Sequence, residues 1–164
     1  MDFRADLKNG VLLVDNNRSY EISCNVRTLG NGLRLSHEVI YSIPDGKPYM
    51  PTKFPSGKWN FTGVLWQKDV NGNKLFDYNT YGPCKLLTNA FQFVKVWGLD
   101  TEGDYLEETP EVVRDSCYWF HYSSSGSTLG CIRIRTDSDA IVLGKLVESA
   151  LSRGEPCNIE VYCG

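Results

Sequence analysis

Apolar residues along this chain recur mostly at period two, the spacing of a strand with one buried face, and only one long stretch changes to helical period. "GVLLV" (10–14) is a short apolar run. Tyr20, Ile22, Cys24 and Val26 then alternate with polar residues, which predicts a half-buried strand. "LGNG" (29–32) signals a turn, and "LRLSHEVIYSI" (33–43) returns to extended character until "PDGKP" breaks it. Trp59, Phe61, Gly63 and Leu65 lie at period two, and "DVNGN" (69–73) carries the Asn-Gly pair favoured in tight hairpins. "AFQFVKVW" (90–97), "CYWFHY" (117–122) and "NIEVY" (158–162) read as further strands.

The helical stretch is "DSDAIVLGKLVESALSRG" (137–154), where Ile141, Leu146 and Ala150, with Val142, Val147 and Leu151, make an apolar face. Asp137 or Ser138 is expected to cap its start, Asp139 suits the first turn, and Gly154 after Arg153 suits its end. No repeat, low-complexity tract or linker divides the sequence. The reading is a single α+β domain over 1–164, mostly β, with a mixed, largely antiparallel sheet and one clear helix near the C-terminus.

Composition narrows the function classes. With 41% hydrophobic and 23% charged residues the chain is an ordinary globular one, able to bury a core without staples. A net charge of −3 argues against a nucleic-acid partner, and no apolar run approaches the length of a membrane span. "MDFRADLKNG" shows no basic segment followed by an apolar one, so the protein is expected to be made in the cytoplasm without a Sec signal. It then stays there or leaves by a route that needs no cleaved signal. Asp100 to Glu111 holds six acidic residues and no Lys or Arg, which reads as a solvated loop, with a lid beside a cleft as the alternative.

Candidate chemistry begins with the cysteines at 24, 84, 117, 131, 157 and 163. None forms C-x-x-C, so neither a thiolate zinc site nor a thioredoxin-type motif is expected. The two histidines, His37 and His121, are too few for a three-histidine metal site, and no metal or cofactor is expected. Most of the cysteines read as small buried residues. Cys131 differs because His121 precedes it by ten residues of mostly Ser- and Gly-rich sequence, enough for a loop that brings the two together. A cysteine nucleophile needs such a base, since its unperturbed pKa of about 8.5 leaves little thiolate at neutral pH. Gly130 frees the backbone before the thiol, and amides around 129–131 can donate to an oxyanion. Arg133, two residues on, shares a strand face with Cys131 and suits a substrate carboxylate. On spacing alone, a catalytic pair and two packed side chains stand level.

"STLGCIRI" (127–134) resembles the signature of L,D-transpeptidases, with Thr128, Gly130, Cys131, Ile132 and Arg133 matching in place. "KFPSGKWNFTGV" (53–64) is similar to the Pro-x-Gly-x-aromatic segment of those enzymes, and "WFHY" (119–122) to their histidine-bearing strand. Leu129 stands where the common members have a second histidine, and the His-to-Cys interval is shorter than theirs. Both features resemble the divergent L,D-transpeptidase-like effectors delivered by type VI secretion into a rival's periplasm.

The resemblance implies an L,D-transpeptidase-like mixed sheet or sandwich and a peptidoglycan tetrapeptide stem as donor. Cys131 attacks the carbonyl of the third stem residue, His121 handles the proton, and a backbone carbonyl orients the histidine. The thioester passes to water (carboxypeptidase) or to an amine (exchange or cross-linking). Ser127, Thr128 and Tyr122 are implied substrate contacts, each also readable as a turn or core residue. Implied partners are the secretion machinery and a periplasmic immunity protein. Two other classes stay open: a sortase-like transpeptidase using His37, and a non-catalytic wall-binding or disulfide-braced module in which Cys131 is paired.

Overall fold

Eight strands close into one ring in the computed structural model, which describes residues 1–24, 54–75, 78–96, 111–124 and 131–162. The described elements are β1 (Asp2–Asp6), β2 (Val11–Val14), β3 (Arg18–Ser23), β4 (Gly57–Trp66), α1 (Tyr78–Tyr81), β5 (Cys84–Thr88), β6 (Gln92–Val96), β7 (Glu111–Asp115), β8 (Phe120–Tyr122), β9 (Ile132–Ile134), α2 (Asp137–Ser152) and β10 (Asn158–Tyr162). The ring runs β1-β10-β4-β5-β8-β9-β3-β2, while β6 and β7 form a separate antiparallel pair. Within the ring β1–β10 and β8–β9 pair in parallel and the other neighbours are antiparallel. The mostly-β character and the single long helix agree with the sequence.

Local chemistry makes the first hairpins. Asp15 and Asn16 both take positive φ, 49° and 59°, between β2 and β3; paired left-handed residues give the turn whose twist matches two strands, and short polar side chains tolerate it best. Asp6 ends β1 by accepting from the Lys8 and Asn9 amides at 3.0 Å each. Inward positions then align across the ring: Phe3 opposite Val14 and Ile159, Ala5 opposite Leu12 and Val161, Leu86 opposite Phe120, and Phe120 opposite Ile132. Edge-to-face contacts link Phe3 to Phe61 (4.9 Å), Phe61 to Phe120 (5.0 Å) and Phe54 to Phe120 (5.4 Å).

Period two breaks inside β4. An irregularity between Phe61 and Gly63 shifts the register, so Val64 and Trp66 pack against the core and Leu65 is exposed. One extra residue in a strand reverses the facing of everything after it. That corrects the expectation that Trp59, Phe61, Gly63 and Leu65 share one face.

Helix α2 packs on β4 and β5, burying Ala140, Leu143, Gly144, Val147 and Ala150. Val142, expected on the apolar face, is 43% exposed. Small residues let the helix sit close: a Cβ on Gly144 would lie 2.9 Å from Cys84 Sγ and 3.0 Å from Trp66 Cη2. The N-cap is Thr136, not Asp137 or Ser138; its Oγ1 accepts from Asp139 N at 3.1 Å. At the other end Gly154 (φ 73°) turns left-handed, with Glu155 N donating to Ala150 O and Gly154 N to Leu151 O, the paired bonds of a glycine-terminated helix. Among the described residues no helix is long and apolar enough to cross a membrane.

Candidate active site

Strands β5, β8 and β9 lie side by side, and their register sets Lys85 beside His121 and His121 beside Arg133. Directly paired residues point to the same face, and each of the three has inward-facing neighbours (Leu86, Phe120 and Phe120's partner Ile132). The row Lys85–His121–Arg133 therefore stands on the outer face of the ring. Cys131 immediately precedes β9 and lies opposite Trp119: the Trp119 N–H donates to Cys131 Sγ at 3.4 Å, and Ile132 N donates to Trp119 O at 3.0 Å. Trp119 and His121 are two residues apart on one strand face, as are Cys131 and Arg133. Cys131 and His121 are thus diagonal positions across β8 and β9, one pleat repeat (about 6.6 Å) out of direct register.

His121 is 4% exposed although it faces outward. Tyr81 of α1 covers it edge-on, with ring centroids 5.0 Å apart. His121 Nδ1 lies 2.9 Å from the Tyr122 carbonyl oxygen. A carbonyl only accepts, so Nδ1 carries the hydrogen, and in the neutral ring Nε2 keeps the lone pair. Burial lowers the His121 pKa below its usual 6.5, the Tyr122 bond opposes this, and the Lys85 and Arg133 cations push it further down. At neutral pH His121 is a neutral, oriented imidazole.

No disulfide joins any of Cys24, Cys84, Cys117, Cys131 and Cys157 to another of the five. Cys131 is half-buried as a residue, but its sulfur is desolvated, which pushes the pKa up to about 12; the Trp119 N–H opposes the shift, the neighbouring Cys24 and Cys117 thiols add to it, and Lys85 lowers it. The Cys131 thiol also donates to the Cys117 carbonyl at 3.7 Å. Cys117 holds φ at 71°, left-handed backbone uncommon outside glycine, three residues before the strand that carries the histidine. The resting pair is therefore thiol and neutral imidazole, rather than thiolate and imidazolium.

Arg133 is tied down on one side, its Nε donating to the Ser123 carbonyl at 2.7 Å, which leaves the guanidinium's terminal nitrogens for other partners. Tyr122 alternates with His121, packs against the core and closely flanks Gly82. Gly130, Ser127 and Thr128, like His37 and the segment 100–110, lie outside the described residues. Among the described residues no cluster of three or more His, Cys, Asp or Glu is placed to hold a metal.

Lys85 and Tyr81 escaped the sequence reading. Lys85 is only 7% exposed, its Nζ 4.0 Å from the Tyr81 ring centroid and 4.9 Å from that of Trp119. The available signal was one lysine within "CKLLT", an otherwise apolar strand, since lysine is rarely buried without a purpose. Comparison of the chain with protein-family models, with curated proteins and with solved structures finds no match.

Proposed function

We propose that this protein is a cysteine acyl-transfer enzyme of the L,D-transpeptidase type that acts on peptidoglycan stem peptides. The observation that carries the reading is an oriented neutral His121 diagonal to Cys131, flanked by the cations Lys85 and Arg133. A base whose Nδ1–H is fixed and whose Nε2 is a lone pair suits removal of a thiol proton during attack, the step a high-pKa thiol requires. Flanking cations suit an anionic peptide. The choice of stem peptide rests on the sequence resemblance, and so does the proposal that the eight-strand ring is a divergent form of that family's sheet.

In this reading Cys131 Sγ bonds to the carbonyl carbon of the third stem residue, meso-diaminopimelate, as its proton passes to His121 Nε2. The tetrahedral oxyanion collapses, the C–N bond breaks, and the departing D-Ala nitrogen takes the proton from His121. Water then attacks the thioester, giving its proton to His121, and the sulfur leaves and is reprotonated. The product is a tripeptide stem. A D-amino acid in place of water gives exchange. The proposed setting is the periplasm of a rival cell reached by type VI secretion, with an immunity protein protecting the producer.

Incubation of the purified protein with tetrapeptide muropeptides, followed by mass spectrometry, tests this. Tripeptide products, and exchange products when D-Met is added, are expected, together with an acyl adduct on Cys131. Unchanged muropeptides from folded protein would overturn the reading.

A further inference from the structure

On the outer face of β1, β10 and β4 the register lines up two rows of polar side chains: Asp2, Asn158 and Asn60, and, one pleat repeat along, Arg4, Glu160 and Lys58. The rows border an open cavity of about 430 Å³, within the size range of small-ligand sites, with the buried Phe3 and Ile159 beneath it. Both ends of the first row are tied down: Asp2 N donates to Asp15 Oδ1 at 2.7 Å, and Asn60 N to Asn89 Oδ1 at 2.8 Å. Its side chains join hands, Asn60 Nδ2 donating to Asn158 Oδ1 and Asn158 Nδ2 to Asp2 Oδ1, each at 3.0 Å. A carboxylate only accepts, so the direction of this chain is fixed. Asp2 Oδ2 and Asn60 Oδ1 are left as open acceptors among the described residues. The second row does not close on itself. Glu160 stands in register between two cations, yet among the described residues none of the three enters an ion pair, and Arg4 lies against the Tyr162 ring, 5.4 Å from its centroid.

We propose that this cavity is a second binding site, for an N-acetylated saccharide chain. Its two cations and two carboxylates cancel, so it has no net attraction for a polyanion, and its polar rim does not suit an apolar ligand. What it offers is donors and acceptors in alternation. β1 carries an acceptor at Asp2 and donors at Arg4, and β4 an acceptor at Asn60 and donors at Lys58. A hydroxyl gives one hydrogen and accepts others, so a ring of hydroxyls can serve both rows at once. Acetamido groups add a donor and an acceptor apiece, matching the side-chain amides of the first row. The charged ends strengthen such bonds. β10 and β9 are four places apart around the eight-strand ring in either direction, so the cavity lies on the far side from the strand of Arg133. The site therefore stands independently of the acyl-transfer reading; together, the two faces would hold a glycan on one side and meet its peptides on the other.

The test titrates nitrogen-15-labelled wild-type protein with tetra-N-acetylchitotetraose, a neutral saccharide that carries no peptide, and follows the backbone amides by NMR. Amide signals of Asp2 to Arg4, Lys58 to Asn60 and Asn158 to Glu160 are expected to move, while those of β8 and β9 stay in place. Glu160→Ala and Asn158→Ala should each raise the Kd by about tenfold, the range of one lost hydrogen bond to a charged group or of a broken amide row. Both side chains are exposed, so neither variant should unfold. A tetrapeptide stem without sugar should leave the signals of the three strands unmoved. Three outcomes overturn the proposal: no movement on these strands in the folded wild type, a Kd unchanged in both variants, or a stem peptide that moves the same signals as far as the saccharide does. Turnover enters none of these measurements, so failure here leaves acyl transfer standing, and muropeptides left unconverted by the protein leave this site standing.

Discussion

Trp119 and Cys131 hold each other: the Trp119 N–H donates to the cysteine sulfur at 3.4 Å, and the amide following the cysteine donates to Trp119 O at 3.0 Å. The thiol is thus docked by backbone bonds to the strand that carries His121. Position is set by main chain, while the proposed reactivity depends on two side chains.

Replacing either side chain should therefore remove turnover without unfolding the protein. Cys131→Ala removes the proposed nucleophile, and the docking amide Ile132 N keeps its carbonyl partner. His121→Ala removes a base expected to contribute about 10²- to 10⁴-fold. Each variant is expected to lose at least that factor in muropeptide conversion, with circular dichroism unchanged. His121→Ala also loses the bond to Tyr122 O and opens a hole under Tyr81, so its melting temperature should fall further than that of Cys131→Ala. Retention of most conversion by either variant excludes the pair.

A second prediction concerns the fold alone. Gly144→Ala places a methyl 2.9 Å from Cys84 Sγ and 3.0 Å from the Trp66 ring, both buried or half-buried under α2. Overpacking of this kind costs about 1–3 kcal/mol. The Gly144→Ala/Cys84→Ala double variant should be less destabilised than the sum of the single changes, because removing the sulfur relieves one of the two contacts. Additive losses in denaturant unfolding would show that α2 does not seat on Cys84.

Particular residues show which features the sequence could reveal. The helix at Asp137–Ser152 and the strand Asn158–Tyr162 were legible because a long or clean period survives in the chain. The face of β4 was misread because a bulge leaves no mark in residue types. β1 was not foreseen: "DFRAD" offers two inward residues, Phe3 and Ala5, and it is a strand because β10, more than 150 residues away, pairs with it. Parallel pairing of β8 with β9 is likewise a property of the closed ring. His121, Cys131 and Arg133 could be picked as candidates from residue type and spacing. Lys85 showed only as a lysine in an otherwise apolar run, and its place beside His121 exists only in the β5–β8 register.

Place of action gives a third prediction. The proposed substrate lies in the periplasm, so a fusion to a Sec signal should stop growth of a Gram-negative host, with tetrapeptide stems depleted in its wall. The same protein kept in the cytoplasm, and the exported Cys131→Ala form, should be harmless. Equal toxicity from both compartments would reject periplasmic stems as the target.

The fourth prediction follows from how burial shifts the two titrating groups. His121 must be neutral to accept the thiol proton, and its pKa is lowered below 6.5, so the acid limb of kcat/KM should have its midpoint below 6.5. Cys131 is pushed up to about 12, so its alkylation by iodoacetamide should be slow at pH 7 and climb as the solution turns alkaline. A thiolate–imidazolium pair would instead give fast alkylation already near pH 5 to 6. Stability responds with opposite slopes. Between the lowered folded value and 6.5 the unfolded histidine binds more protons than the folded one, so stability falls as pH drops through that window. From 9.0 toward about 12 the unfolded Cys131 thiol loses its proton while the folded thiol keeps it, so stability falls as pH rises. Cys84, also raised to about 12, adds to the alkaline loss, which is why the informative quantity is the difference between wild type and Cys131→Ala. That variant should be less sensitive to alkaline unfolding than wild type. Identical alkaline unfolding of the two proteins, together with rapid alkylation at pH 6, would mean that Cys131 rests as a thiolate and that His121 acts as its counter-ion instead of its base.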